Sequence, residues 1–272
     1  MAFKTEWVRF GKEGRHLGYC AWPERATAPL PGLLIVQEAW GVDTHIEDLV
    51  VRFAKAGYVA VAPDLFADHG ERSPVLSRAR LTALKAFVDA MAPSAWSDPA
   101  AREESFGKLP EPDRSEMKES YSTLFTSALG KSDAYIPKLV DAAEYLRSEH
   151  PLSRGSKVGS VGYCMGGGLS ALLACTDPAL AAAVVYYGNA PPADRIAGIT
   201  CPVLGIYGAL DTRINAGLAD FTAAMKAHGK RFEPHVYEGA KHAFFNDTRP
   251  SYDAKASRDS FARTLEFLRR EL

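Results

Sequence analysis

The chain has 272 residues, of which 47% are hydrophobic and 24% are charged, and its formal net charge is -1. This composition is typical of a globular protein, and the balanced charge favours neither nucleic acid nor an anionic membrane as a partner. No apolar run approaches the roughly 18–20 residues that span a bilayer, and the first residues lack the apolar core of a signal peptide.

The cysteines exclude some kinds of site. There are four, spread widely and without the paired spacing of a metal site: Cys20, Cys164, Cys175 and Cys201. We therefore expect a reducing, cytoplasmic setting, no metal and no cofactor. The expected partner is a small molecule, and the sequence does not indicate an oligomeric state.

The first part of the chain predicts a hairpin followed by a strand, a helix and a second strand. Residues 8–22 alternate loosely in polarity, which indicates two short strands joined by a turn. Residues 32–36 and 58–62 are continuous apolar runs, as expected for strands that are covered on both faces. The helix between them begins after a cap formed by Asp43 or Thr44.

The middle of the chain interrupts this alternation. After a helix marked by Leu81, Leu84 and Val88, residues 93–112 contain four prolines and many charges, which predicts an irregular stretch. A helix over residues 115–129 should follow. The excursion at about 93–129 is either a lid over a site or a tolerated surface insertion.

Strands and helices alternate again in the rest of the chain. We predict a strand at 158–162 and the following further elements: strands at 181–187, 203–207 and 231–237, and helices at 132–146, 214–228 and 252–271. This alternation predicts an α/β fold with a mostly parallel central sheet and helices on both faces. We expect one domain over residues 1–272.

The strand at 158–162 leads into the pattern Gly162-x-Cys164-x-Gly166 and then directly into a helix. This is the spacing of a nucleophile elbow, with cysteine in place of serine. The helix N-terminus would favour a thiolate at Cys164. The pattern alone is also compatible with an ordinary glycine-rich turn.

Three more polar residues lie just past the ends of predicted strands: Glu38, Asp211 and His242. Sites in parallel sheets gather at these strand ends, and nucleophile, acid, histidine is the chain order of α/β-hydrolases. Each residue alone has another explanation. Asp211 could cap a helix, His242 could be a loop residue, and Glu38 could lie in a solvated turn.

Five segments together make the chain resemble the dienelactone hydrolase family of α/β-hydrolases over nearly its whole length. They are Gln37-Glu38-Ala39-Trp40-Gly41, Ala62-Pro63-Asp64-Leu65-Phe66, Gly162-Tyr163-Cys164-Met165-Gly166-Gly167, Gly208-Ala209-Leu210-Asp211 and Gly239-Ala240-Lys241-His242-Ala243-Phe244. The resemblance implies a carboxymethylenebutenolidase-like enzyme that acts on carboxylic esters or lactones.

The resemblance also implies residue roles. Cys164 would attack the carbonyl and form an acyl-thioester, His242 would move the proton, and Asp211 would orient the imidazole. The backbone N–H groups of Met165 and Ala39 would form the oxyanion hole, as the elbow rule also suggests.

The residue that matches Glu38 contacts the resting thiol in the family, so we carry over that contact as a hypothesis. Asn246 stands where the founding enzymes have an arginine that grips the substrate carboxylate, and an amide cannot replace that charge. The substrate is therefore expected to be a small ester or lactone other than dienelactone. Candidate substrate-binding residues are Trp40, Phe66, Asn246 and Phe244. Arginines considered for the missing contact are Arg72, Arg78, Arg80 and Arg249.

Two other functions remain open at this point. The first is a binding or regulatory protein on the same scaffold, in which Cys164 is a redox-responsive thiol. The second is a thioesterase or peptidase.

Overall fold

The computed structural model describes residues 2–272, and the predicted apolar runs lie side by side in one sheet. The strands are β1 (Phe3–Phe10), β2 (His16–Pro23), β3 (Gly32–Val36), β4 (Val59–Pro63), β5 (Ala67–Asp68), β6 (Glu71–Arg72), β7 (Val158–Tyr163), β8 (Ala182–Tyr186), β9 (Val203–Gly208) and β10 (Phe232–Tyr237). Eight of them form this sheet in the order β1-β2-β4-β3-β7-β8-β9-β10, and β5 and β6 pair separately.

Of the eight strands of this sheet, only β2 runs antiparallel to the others. β1 pairs with β2 and β2 with β4 in antiparallel register, whereas all pairs from β4 to β10 are parallel. The parallel strands β3, β4, β7, β8 and β9 are buried along their whole length, which explains their continuous apolar sequences.

Helices cover both faces of the sheet, which confirms the predicted architecture. They are α1 (Thr44–Lys55), α2 (Arg78–Ala90), α3 (Pro99–Gly107), α4 (Asp113–Ser122), α5 (Ser132–Glu144), α6 (Met165–Thr176), α7 (Thr212–Asn215), α8 (Leu218–Ala227) and α9 (Ala254–Glu271). Alternate side chains of β3 point to opposite faces: Leu34 packs in the core with α5 and α6, and Leu33 packs in the core with α1 and α9. No helix in the described range is long and apolar enough to cross a bilayer.

The excursion has its own small apolar cluster. Side chains of α2 and the segment after α4 pack there against Trp40, which lies in the turn that follows β3. The prediction of an irregular stretch over 93–112 was wrong for residues 99–107, which form α3. Asp98 caps this helix by accepting a hydrogen bond from Ala100 N at 2.8 Å, and Pro99 lies in its first turn, where proline is tolerated.

Two other helices differ from the prediction. The helix expected at 115–129 begins at Asp113 and changes after Ser122 into a π-helical turn over Thr123–Ala128. The helix expected at 214–228 is two helices, α7 and α8, because the chain turns at Ala216 and Gly217.

Candidate active site

β7 turns into α6 at Cys164, whose backbone torsions are φ 55° and ψ -115°. Such a positive φ is costly for any residue with a side chain and is typical of functional sites. A Cβ added to Gly162 would lie 1.8 Å from Gly166 O, and one added to Gly166 would lie 2.1 Å from Val36 O. Both positions therefore require glycine, and the turn raises the cysteine sulfur at the sheet edge.

Cys164, His242 and Asp211 meet at this edge. His242 follows β10, and its Nε2 lies 3.2 Å from Cys164 Sγ. Its Nδ1 lies 2.5 Å from Oδ2 of Asp211, which follows β9. The other carboxylate oxygen of Asp211 accepts a hydrogen bond from Ile214 N at 3.4 Å, so Asp211 also caps α7. The residues after these three strands thus place a thiol, an imidazole and a carboxylate in a row, each in contact with the next.

The charges around His242 favour its protonated form. Burial lowers its pKa, but the electrostatic effect of Cys164 and the hydrogen bonds with Asp211 and Cys164 outweigh burial. The net effect raises the pKa of His242 from 6.5 to about 10. The raised pKa favours an imidazolium that can donate a proton close to the Cys164 sulfur.

Two backbone N–H groups are available beside the sulfur. Met165 is the first residue of α6, and Ala39 lies in the turn after β3; both line the cavity above Cys164. Within residues 2–272 neither N–H donates a hydrogen bond to another protein group. Unused donors at this place can stabilise negative charge on a carbonyl oxygen.

The cavity above Cys164 has a volume of about 330 Å³. Its apolar lining includes Leu129, Met165, Leu172 and Ile214. Across the described residues, no group of three or more His, Cys, Asp or Glu side chains is arranged to hold a metal ion. The site is suited to a small organic molecule.

The sequence matches the model of the dienelactone hydrolase family over residues 17–272. The chain belongs to the dienelactone hydrolase family. The resemblance inferred from the five segments is thereby confirmed, and the protein is a hydrolase of the ester- and lactone-cleaving class.

Named relatives agree with this assignment. A protein of Saccharolobus solfataricus, assigned as a carboxymethylenebutenolidase, is 33% identical over 253 residues, which are 93% of each chain. A protein of a Bradyrhizobium species, assigned as a 2-oxo-3-(5-oxofuran-2-ylidene)propanoate lactonase, is 30% identical over 97% of this chain and 93% of its own. The crystal structure of a protein from Klebsiella pneumoniae, assigned as a dienelactone hydrolase, superposes with a TM-score of 0.70 at 26% identity and covers 98% of each chain.

Glu38 differs from the family-based expectation. Its carboxylate is buried and accepts hydrogen bonds from Tyr187 Oη at 3.2 Å and Asn246 Nδ2 at 2.7 Å. Among the described residues Glu38 forms no hydrogen bond with Cys164, whose sulfur instead faces His242 Nε2.

The four candidate substrate-binding residues do not line the cavity above Cys164. Phe244 and Asn246 are completely buried, because the chain turns into the protein after His242. Trp40 faces α2 and lines a neighbouring cavity of about 260 Å³, and Phe66 lines a third cavity beside α5. The arginines considered for carboxylate binding are all engaged elsewhere: Arg72 with Asp64, Arg78 with Glu47, Arg80 with Glu119, and Arg249 with Asp89.

Two residues that the sequence analysis did not single out do line the cavity. Tyr187 directly follows β8, and its ring centroid lies 5.2 Å from that of His242. Arg213 follows Asp211 by two positions and forms no ion pair with any residue that the structure describes. Their positions just past strand ends were the available signal.

Proposed function

We propose that this hydrolase cleaves small carboxylic esters or lactones with a Cys164–His242–Asp211 triad, through an acyl-thioester intermediate. The observation that carries the proposal is the continuous contact from Sγ to imidazole to carboxylate at the base of the cavity. The Bradyrhizobium relative is assigned as a lactonase, which supports lactones as one class of substrate.

In the proposed acylation step each of these groups has one role. The Cys164 thiolate forms a bond to the carbonyl carbon, and the carbonyl oxygen takes the negative charge, facing the N–H groups of Met165 and Ala39. As the C–O bond to the leaving group breaks, His242 Nε2 donates its proton to the departing alkoxide. In a lactone the leaving alkoxide stays attached to the acyl chain.

Deacylation reverses the roles. The now neutral imidazole takes a proton from a water molecule, and the hydroxide attacks the thioester carbonyl. The C–S bond breaks, the carboxylic acid product leaves, and the thiolate–imidazolium pair returns. Asp211 accepts a hydrogen bond from His242 Nδ1. This bond fixes the tautomer of the imidazole and keeps its Nε2 facing the sulfur.

The test compares p-nitrophenyl acetate and simple lactones as substrates for the wild type and Cys164→Ala. The wild type should hydrolyse these substrates. With p-nitrophenyl acetate it should form a covalent acetyl adduct on Cys164, detectable by mass spectrometry after acid quench. Cys164→Ala should be inactive. Equal turnover by both proteins would refute the proposal. If both are inert to every ester and lactone, a redox-responsive binding protein gains support; panels of thioesters and amides separate a thioesterase or peptidase.

A further inference from the structure

Glu38 is a buried carboxylate that no cation touches. No Lys, Arg or His of residues 2–272 lies within 4 Å of its oxygens, and its two hydrogen bonds come from the neutral donors Tyr187 and Asn246. A buried anion is stable only where such donors are held firmly in place. The structure therefore has to fix the amide of Asn246.

A directed chain of hydrogen bonds fixes this amide. Asn246 Oδ1 accepts from Thr248 N at 3.0 Å and from Thr248 Oγ1 at 2.7 Å. Because a backbone N–H can only donate, the amide oxygen must face Thr248 and the NH₂ group must face Glu38. Thr248 Oγ1 accepts from Lys85 Nζ at 2.8 Å, so its own hydrogen points toward Asn246. In this chain of hydrogen bonds, each donor from Lys85 through Thr248 to Asn246 therefore points toward Glu38.

Tyr187 connects Glu38 to the imidazole. Its hydroxyl donates to Glu38, and its ring packs edge-to-face on the His242 ring at an interplanar angle of 61°. Tyr187 has a φ of 37°, a left-handed value that is unusual for a bulky residue. Such a conformation persists only where the surrounding contacts impose it.

We propose that Asn246 is a positioning residue for the triad, and this inference rests on the proposed function. Asn246 holds the Glu38 carboxylate against Tyr187, and Tyr187 holds the plane of the His242 ring between Cys164 and Asp211. Asn246 does not contact substrate, because it is completely buried and lies outside the cavity wall.

Asn246→Asp tests this with little change in shape. It places two carboxyl groups about 2.7 Å apart, and at low pH these groups share one proton and keep the bond. As pH rises the proton is lost and the two groups repel. The other titratable and charged groups on the elements packed around this pair are Tyr163, Tyr187, Cys164, His242, Lys85, Asp43, His45, Arg52 and Asp247.

The experiment measures kcat and KM for p-nitrophenyl acetate between about pH 5.5 and 8.5 in the wild type, Asn246→Asp and Asn246→Leu. The kcat of Asn246→Asp relative to wild type should fall about tenfold as pH rises. The same ratio for Asn246→Leu should be low by about tenfold at every pH, with KM little changed in both variants. If Asn246→Leu does not fold, the isosteric Asn246→Asp carries the test alone.

A double-mutant cycle with Tyr187→Phe checks the route. Tyr187→Phe keeps the ring but removes the bond to Glu38, so adding Asn246→Leu should cost little more kcat. Fully additive losses, a flat ratio for Asn246→Asp, or an effect confined to KM would each overturn the inference. Turnover that does not need Cys164 would instead overturn the proposed function, so the two failures are distinguishable.

Discussion

Asp211→Asn separates the charge of the triad carboxylate from its shape. In the wild type this carboxylate, almost completely buried, receives a hydrogen bond from His242 Nδ1 and helps raise the pKa of His242 to about 10. A hydrogen bond to a charged group contributes about 1.5–3 kcal/mol. At about 1.4 kcal/mol for each pKa unit, the substitution should lower the pKa of His242 by roughly one to two units.

The consequence for the reaction has a definite sign. In the proposed mechanism the imidazolium donates the leaving-group proton, so activity should be lost as pH rises through the pKa of His242. For an alkyl ester, whose poor leaving group needs that proton, the alkaline limb of kcat/KM should move to lower pH by roughly one to two units. The rate below that limb should fall by roughly 10- to 100-fold.

The assay combines hydrolysis of ethyl acetate in a pH-stat with an NMR titration of the His242 ring. Asp177→Asn is a matched control. Asp177 is a buried aspartate like Asp211, but it lies outside the site and pairs with Arg147. The control should leave the alkaline limb unchanged. An unchanged limb and an unchanged titration of His242 in Asp211→Asn would refute the role assigned to the carboxylate.

Three further predictions concern the elbow, the cavity and the excursion. Gly162→Ala puts a Cβ 1.8 Å from a backbone oxygen of α6 and should lower the free energy of unfolding by more than about 3 kcal/mol in urea denaturation, whereas Gly107→Ala, with open space around it, should not destabilise. Arg213→Gln should raise KM about three- to tenfold for esters that carry a carboxylate and leave KM for neutral esters unchanged; equal changes for both would exclude a charge effect. Leu124→Ala removes a completely buried side chain of the excursion cluster and should cost about 2–5 kcal/mol by thermal unfolding, while the exposed Thr126→Ala should cost less than about 0.5 kcal/mol.

The prediction for one proline-rich stretch was wrong in part. Residues 93–112 looked irregular because four prolines and many charges hide helical periodicity, yet Pro99 occupies the first turn of α3, where its missing N–H costs nothing. The strands β3, β4 and β7, in contrast, could be predicted from their apolar runs, because a strand covered on both faces needs apolar side chains at nearly every position.

The sequence by itself determined the sheet, the elbow at Cys164 and the strand-end positions of Asp211 and His242, because these follow from local patterns and from the rule that parallel strands end at one edge. Only the tertiary structure decided which side chains face the cavity. The chain turns inward after His242, which buries Phe244 and Asn246, and the loops after β8 and β9 bring Tyr187 and Arg213 to the wall. The path of a loop depends on everything packed beneath it, and spacing along the chain carries no record of that packing.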